Sequence, residues 1–181
     1  MNRRQFLYGT TAAAMPVLGG CSGDEHIISI DDSYPVGSYG ATSTAEEVTL
    51  GLDLTGKTAI VTGCNSGLGL ETMRVLALRG AHVIGTGRTL EKASKACSDM
   101  PGKTTPMALE LSSLQSVVEC ADTIARLDIP IDILVCNAGI NTFGELVELV
   151  NGVEKTFVVN YLGHFVLVNR LMPLMNQAQE S

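Results

Sequence analysis

The stretch TGCNSGLG, residues Thr62–Gly69, decides the fold because it joins an apolar strand to an amphipathic helix. Residues 58–62, which lead into this stretch and end at its first residue, form a short apolar run that is typical of a strand buried on both faces. Residues 67–79 carry apolar side chains at helical spacing, and Gly80 is placed to end that helix. The sequence therefore predicts a strand, a glycine-rich loop and a helix whose N-terminus faces a phosphate.

The glycines of this loop have separate predicted roles. Gly63 permits a tight turn, Gly67 lets the backbone approach a pyrophosphate, and Gly69 allows close packing of helix on strand. Their spacing, Gly-x-x-x-Gly-x-Gly, is one residue longer at the front than the common dinucleotide fingerprint. The loop residues predicted to bind the cofactor are Gly63, Asn65, Ser66, Gly67, Leu68 and Gly69.

Strand-like and helical segments alternate through the rest of the body. Further strands are predicted at residues 82–86, 107–111 and 132–137, and helices at 90–98, 115–127 and 152–176. This alternation predicts a Rossmann-like α/β fold with a doubly wound parallel sheet and right-handed crossovers. Ligands bind such sheets at the carboxyl ends of the strands, so the functional residues should follow the strands directly.

Three downstream segments make the pattern more specific. CNAG at residues 136–139 follows the fourth strand, ELS at 110–112 follows the third, and NYLGHF at 160–165 lies in the long last helix. Together with the glycine loop they resemble the short-chain dehydrogenase/reductase family, most closely its retinol dehydrogenase and protochlorophyllide reductase branch. The resemblance covers about residues 53–176.

The resemblance implies an oxidoreductase that uses a nicotinamide cofactor on a carbonyl or alcohol substrate. The residues that it assigns to the nicotinamide ribose are Asn137, Ala138 and Gly139. Glu110 and Leu111 stand where the family has an Asp-Leu pair at the adenine edge, and Glu110 departs from that aspartate. Asn160 corresponds to a catalytic asparagine that helps to hold the proton relay. An alternative is that Asn160 is a polar residue that locally kinks the helix.

The end of the second strand indicates which cofactor binds. An acid there would accept hydrogen bonds from the ribose 2′-hydroxyl of NAD, whereas arginine pairs with the 2′-phosphate of NADP. This chain has Gly87 and Arg88 at that point, and the first acid is Glu91. We therefore predict NADP in preference to NAD. The alternative is that Arg88 is a solvated loop residue.

The catalytic residues of the family have no match in this sequence. The family uses a serine and a Tyr-x-x-x-Lys pair, in which the lysine lowers the pKa of the tyrosine. None of Tyr8, Tyr34, Tyr39 and Tyr161 is followed by a lysine four residues later. The resemblance therefore implies the amino-terminal half of a dehydrogenase, truncated after the fourth strand and the following long helix, with strand order 3-2-1-4 and strand 4 as an open edge.

Three interpretations stay open at this point. The chain is part of an NADP-dependent oxidoreductase, a non-catalytic nucleotide-binding or interaction module, or a non-functional fragment. The resemblance also implies a homo-oligomer formed through the long last helix.

Composition and net charge narrow the possible classes of protein further. The chain has 181 residues, 45% of them hydrophobic, with 19 glycines and 5 cysteines. These values exclude a disordered chain, a collagen-like repeat and a disulfide-dense miniprotein. The formal net charge of −7 makes nucleic-acid binding a poor hypothesis. The histidines and cysteines have no ligand-like spacing, so no metal site is predicted.

The amino terminus predicts an export signal. Residues 1–21 have a basic start, an apolar stretch too short to span a bilayer, and small residues before Cys21. Arg3-Arg4 resembles the twin-arginine motif, and Leu18–Cys21 resembles the lipobox of bacterial lipoproteins. This implies export to the periplasm or cell envelope and membrane anchoring through lipidated Cys21. The alternative is an uncleaved start in a cytoplasmic protein.

The segment after this signal has a different character from the body. Residues 22–50 are acidic and lack a sustained apolar period, so they are predicted to form a flexible tether. Residues 51–181 are predicted to form the NAD(P)-binding domain.

Overall fold

Four parallel strands form the centre of the computed structural model, which describes residues 38–141 and 147–178. The strands are β1 (Thr58–Val61), β2 (His82–Gly87), β3 (Thr104–Ala108) and β4 (Ile133–Val135). They pair in the order β3-β2-β1-β4, so β4 lies at an edge of the sheet that the described residues form. The prediction of a Rossmann-like α/β fold with this strand order is confirmed.

The helices follow the strands in the predicted alternation. They are α1 (Ala45–Val48), α2 (Gly67–Leu78), α3 (Leu90–Ser98), α4 (Leu114–Ala125), α5 (Lys155–Phe157) and α6 (Gly163–Met175), with a π-helical segment at Val158–Leu162 between the last two. Across the described residues, no helix combines the length and apolarity that a membrane span requires. The predicted signal segment and Cys21 lie outside the described residues.

The core has two layers because successive strand residues point to opposite faces of the sheet. Ile60 and Ile84 face one side, where α4 and α6 cover them. Ala59, Val61 and Val83 face the other side, where they pack with residues of α2 and α3. The first strand is therefore buried on both faces, as its continuous apolar run predicts.

Two strand predictions need correction. The apolar pattern predicts the third strand at residues 107–111, but β3 begins at Thr104 and ends at Ala108. Pro106 lies inside it opposite Gly85, which an outer strand tolerates because, among the described strands, one edge of β3 has no partner. Leu109 and Leu111 are buried after the strand has ended, so their burial belongs to the turn. The fourth strand is likewise shorter than residues 132–137.

The long last helix also differs from its predicted bounds. The chain forms a hairpin of β5 (Leu149–Val150) and β6 (Val153–Glu154) before the helix begins at Lys155. Asn151 and Gly152 have φ values of 50° and 80°, the left-handed conformation that a two-residue hairpin turn requires. The helix is then interrupted by the π-helical segment, which contains Asn160.

The end of the predicted tether contains a short ordered element. Helix α1 has a complete capping box between Thr44 and Glu47. Glu46 contacts α2 through an ion pair with Arg74 at 3.1 Å, and its carbonyl oxygen accepts from the Arg79 guanidinium. Glu46 and Thr49 thus contact residues of α2 and its C-terminal end, while the division into a tether and a domain stays a prediction.

Candidate functional site

The glycine loop brings β1, α2 and the end of β4 into close contact. Gly63 has φ +72°, and a Cβ there would lie 3.0 Å from Ala138. A Cβ on Gly69 would overlap the carbonyl oxygen of Gly63 and the side-chain amide of Asn137. The helix can approach the strand this closely only because these positions lack side chains.

The N-terminus of α2 is open toward this loop. Ser66, the N-cap residue, makes no side-chain cap hydrogen bond. The first N–H groups of a helix have no partner within the helix, and they carry partial positive charge. Gly67 has φ +61°, a left-handed conformation that glycine adopts without steric cost. The loop can therefore donate several backbone hydrogen bonds to an anionic group.

A cavity of about 540 Å³ opens at the carboxyl ends of β1, β2 and β4. The sequence-predicted residues that line it are Gly63, Asn65, Ser66, Arg88, Glu110, Leu111, Asn137, Ala138 and Gly139. Gly67, Leu68, Gly69 and Asn160 were also predicted as site residues but do not line it, and Leu68 is 81% exposed. The structure thus brings most of the predicted residues together at the carboxyl ends of the strands.

Two asparagines fix the loop that follows β4. The Asn137 side chain donates to the carbonyl oxygen of Thr62 at 2.8 Å, which joins this loop to β1. Asn160 accepts from the N–H of Ile140 and donates to its carbonyl oxygen, both at 2.8 Å. The amide of Asn160 is therefore used to hold the backbone, and its predicted part in a proton relay stays a prediction.

Glu110 organises the turn after β3. Its carboxylate accepts from the N–H and the hydroxyl of Ser112, at 3.0 and 2.8 Å. Its own N–H donates to the hydroxyl of Ser116 at 3.0 Å. The longer side chain thus closes a local turn while it still lines the cavity.

Several cavity-lining residues escape the sequence analysis. Thr86, Glu148 and Lys155 line the cavity, and Lys155 Nζ lies 2.6 Å from Glu148 Oε2. Thr86 follows the strand-end rule and could have been found by it. Glu148 and Lys155 meet only because the β5–β6 hairpin folds back, so no spacing in the sequence signals them.

Buried titratable groups surround the site. Burial raises the pKa of the Cys64 thiol to about 12, and this thiol donates to the carbonyl oxygen of Val61 at 3.0 Å. Burial also lowers the pKa of His164, against a smaller raising effect of the Asn160 carbonyl. Both groups are therefore neutral near pH 7. In the described part of the chain no set of three metal-ligating side chains comes together.

The fold and the cavity define a Rossmann-like α/β protein whose cavity lies at the carboxyl ends of the strands, where such sheets bind ligands. The family description "short chain dehydrogenase" matches residues 57–181. The chain belongs to the short-chain dehydrogenase family.

Named relatives agree with this assignment. The chain is 42% identical over 143 residues to the WW domain-containing oxidoreductase of Homo sapiens, a match that covers 76% of this chain and 34% of that protein. It is 38% identical over 131 residues to retinol dehydrogenase 13 of Homo sapiens, covering 70% of this chain and 39% of that protein. The chain thus spans little more than a third of the length of these relatives.

Solved structures support the same fold. A metagenomic short-chain oxidoreductase in complex with NADP superposes with a TM-score of 0.60 at 27% identity. That match covers 67% of this chain and 57% of the other.

Proposed function

We propose that this chain forms the NADP(H)-binding part of an oxidoreductase that acts on a carbonyl or alcohol substrate. The observation that carries the proposal is the cavity at the strand ends, where the glycine loop, Arg88 and residues 137–139 meet. Support also comes from the metagenomic relative whose structure contains NADP.

The cavity residues fit the parts of such a cofactor. The open N-terminus of α2 and the loop at residues 63–66 suit the pyrophosphate. Residues 110–112 suit the adenine, and residues 137–139 suit the nicotinamide ribose, as the family resemblance implies. When bound, the cofactor supplies the hydride, and the chain's own residues bind and orient it.

Arg88 supports NADP as the preferred cofactor. It lines the cavity directly after β2, and its guanidinium makes no described ion pair. A guanidinium binds a phosphate through paired, charge-assisted hydrogen bonds. The carboxylate of Glu110 already accepts two hydrogen bonds from Ser112. It is therefore less available to accept a hydrogen bond from the ribose hydroxyl of NAD.

Binding of NADPH and NADH to the Arg88→Gln variant tests this function. We expect the variant to lose about tenfold or more in NADPH affinity, since a hydrogen bond to a charged group contributes about 1.5–3 kcal/mol, while NADH binding changes little. Titration calorimetry on the full chain is the measurement. Arg126→Gln, an exposed arginine at the end of α4, is the matched control. Equal loss for both cofactors contradicts the assigned role of Arg88, and no binding by the wild type contradicts the function.

A second candidate is a nucleotide-binding module without catalysis. The observation that favours it is that no tyrosine of this chain has a lysine four residues later. A phenol with a pKa of about 10 is a poor base at neutral pH without a neighbouring cation. A fragment without function is the further alternative.

An assay of NADPH oxidation distinguishes these non-catalytic candidates from an enzyme that is active as this chain alone. We expect the purified chain to bind NADPH but not to oxidise it with aldehyde or ketone substrates. Absorbance at the reduced-nicotinamide band measures this, with an enzyme-free mixture as the control. Oxidation above that control would show that the chain is catalytically complete.

We further propose export with lipidation at Cys21, and self-association through the last helix. The first rests on the basic, apolar and small-residue order of residues 1–21. The second rests on exposed aromatic side chains of the last helix and on the family assignment. Incorporation of labelled fatty acid by the full chain and by Cys21→Ser tests the first proposal.

A further inference from the structure

A buried histidine on the last helix contacts the end of the first strand. His164 lies on α6 and is 6% exposed, and Thr62, directly after β1, is fully buried. His164 Nε2 lies 2.9 Å from Thr62 Oγ1, across 102 positions of the chain. Buried polar groups need such partners, and this partner directly precedes Gly63, which lines the cavity.

The surrounding groups determine which atom carries each proton. The N–H of Ala138 donates to Thr62 Oγ1 at 2.9 Å, so this oxygen is already an acceptor. His164 Nδ1 faces the carbonyl oxygen of Asn160 at 3.4 Å. A carbonyl oxygen only accepts, so Nδ1 must carry the ring proton of the neutral histidine. Nε2 is then the acceptor for the Thr62 hydroxyl.

The alternative acceptor for this hydroxyl is less suitable. The carbonyl oxygen of Val135 lies 3.4 Å from Thr62 Oγ1, and it already accepts from the Thr62 N–H at 3.0 Å. The shorter contact to His164 Nε2 therefore sets the rotation of the hydroxyl. This leaves the oxygen's remaining lone pairs to the N–H of Ala138.

The last helix therefore holds the loop after β4 at two points, on either side of Gly139. His164 acts on Ala138 through Thr62, and Asn160 binds Ile140 directly on both its backbone groups. Ala138 and Ile140 line the cavity, as does Gly139 between them. Asn160 and His164 are placed for this by the π-helical segment and the turn that follows it.

We propose that His164, as the neutral Nδ1–H tautomer, is a positioning residue that fixes the Ala138–Ile140 loop for cofactor binding through the Thr62 hydroxyl. The proposal rests on the proposed function, because the loop is assigned to the cofactor there. His164 itself does not line the cavity, so it acts only through Thr62.

Nitrogen NMR of the histidine rings tests the geometry without any cofactor. We expect His164 Nε2 to resonate as an unprotonated nitrogen and Nδ1 as a protonated one. The Thr62→Val variant should shift Nε2, because it removes the hydroxyl that donates to it. His82→Gln identifies the ring signals of His82, and those that then remain beside His164 belong to His26. An Nε2–H tautomer at His164 would overturn the proposal.

NADPH binding and backbone amide exchange test the positioning role. We expect His164→Phe and Thr62→Val each to weaken NADPH binding about tenfold, the scale of one buried hydrogen bond, and the double variant to weaken it no further. His164→Gln, whose carbonyl oxygen replaces Nε2 as the acceptor, should bind within about threefold of wild type. Amide exchange at Ala138 should be faster in the first two variants and unchanged in the third.

A second histidine–threonine pair supplies the matched control. His82 Nε2 lies 2.8 Å from Thr105 Oγ1, on β2 and β3, and neither residue lines the cavity. His82→Gln should therefore leave NADPH binding unchanged. Unchanged binding and unchanged exchange at Ala138 in His164→Phe would overturn the proposal. If the wild type binds no NADPH but exchange responds as expected, the proposed function fails and the positioning role stands.

Discussion

At the scale of single residues, contacts in the glycine loop determine what each position tolerates. Gly69 lies where a Cβ would overlap the backbone of Gly63, which cannot move without moving β1. Leu68, its neighbour, is 81% exposed. The loop therefore contains positions of very different sensitivity side by side.

The Gly69→Ala variant should test this difference. We expect a loss of about 1–3 kcal/mol in the free energy of unfolding, the usual cost of overpacking, together with weaker NADPH binding. Leu68→Ala, the control, should stay within about 0.5 kcal/mol of wild type. Urea denaturation and calorimetry measure the two effects. A Gly69→Ala protein as stable as Leu68→Ala would contradict the close packing of α2 on β1.

Cys64 gives a pH dependence with a definite sign. Its thiol has a pKa of about 12 in the folded chain, whereas an unfolded thiol titrates near 8.5. The folded state thus holds the proton more tightly, so this contribution is fully present below the unfolded pKa and is lost as pH rises toward 12. Between pH 8 and pH 10 the wild type should lose about 2 kcal/mol more than Cys64→Ala.

Urea midpoints at the two pH values provide the measurement. Cys136→Ala is the control, because Cys136 is exposed and its removal should alter the pH dependence less. Parallel losses in wild type and Cys64→Ala would show that the Cys64 thiol is not buried as described.

At the scale of elements, the β5–β6 hairpin determines where the last helix begins. Its turn residues have positive φ. At the base of the hairpin, Glu148 forms an ion pair with Lys155, and both residues line the cavity. The helical periodicity of the sequence continues into this segment, so the hairpin is a feature that the apolar pattern alone does not predict.

Two glycines isolate the contribution of the turn conformation. Gly152 and Gly40 both have no atom within 4 Å of a Cβ position, but only Gly152 has positive φ, at 80°. Gly152→Ala should therefore cost about 1–2 kcal/mol in stability, and Gly40→Ala should be nearly neutral. Thermal and urea unfolding measure both. Equal stability of the two variants would contradict the left-handed turn.

At the scale of the whole molecule, an exposed aromatic row lies along the last helix. Phe157 stacks on Tyr161 with ring centroids 5.2 Å apart, and Tyr161 stacks on Phe165 at 6.3 Å. Each side chain is about half exposed. Since an exposed apolar patch often marks an interface, this row suits a second copy of the chain.

Introducing a charge into this row should prevent self-association. We expect the wild-type chain to form a dimer and Phe165→Lys to form a monomer, because burying an unpaired ammonium group is costly. Light scattering after size exclusion measures the mass. Leu90→Lys, an equally exposed position on α3, is the control and should remain dimeric. A monomeric wild type would contradict the proposed interface.

Much of the fold follows from local signals in the sequence. The strand–loop–helix order around Thr62–Gly69 and the alternation after it predict the parallel sheet. Both signals are local, because hydrophobic periodicity and the residues that end each element depend only on neighbouring positions. The strand-end rule likewise predicts most cavity-lining residues, including Arg88 and Asn137. The error in β3 has the same origin, because an apolar run does not show whether its residues are buried in a strand or in the following turn.

The sequence alone thus determined the Rossmann-like order of elements, and it predicted nine of the residues that line the cavity. Only the tertiary structure decided which distant side chains meet there: His164 with Thr62, Asn160 with Ile140, and Glu148 with Lys155. The physical reason is that local propensity acts over a few residues, whereas these contacts depend on how packed helices and strands are placed relative to one another. The packing of the last helix on the sheet therefore brings residues of separate motifs together, and these residues hold the loop after β4 at the cavity.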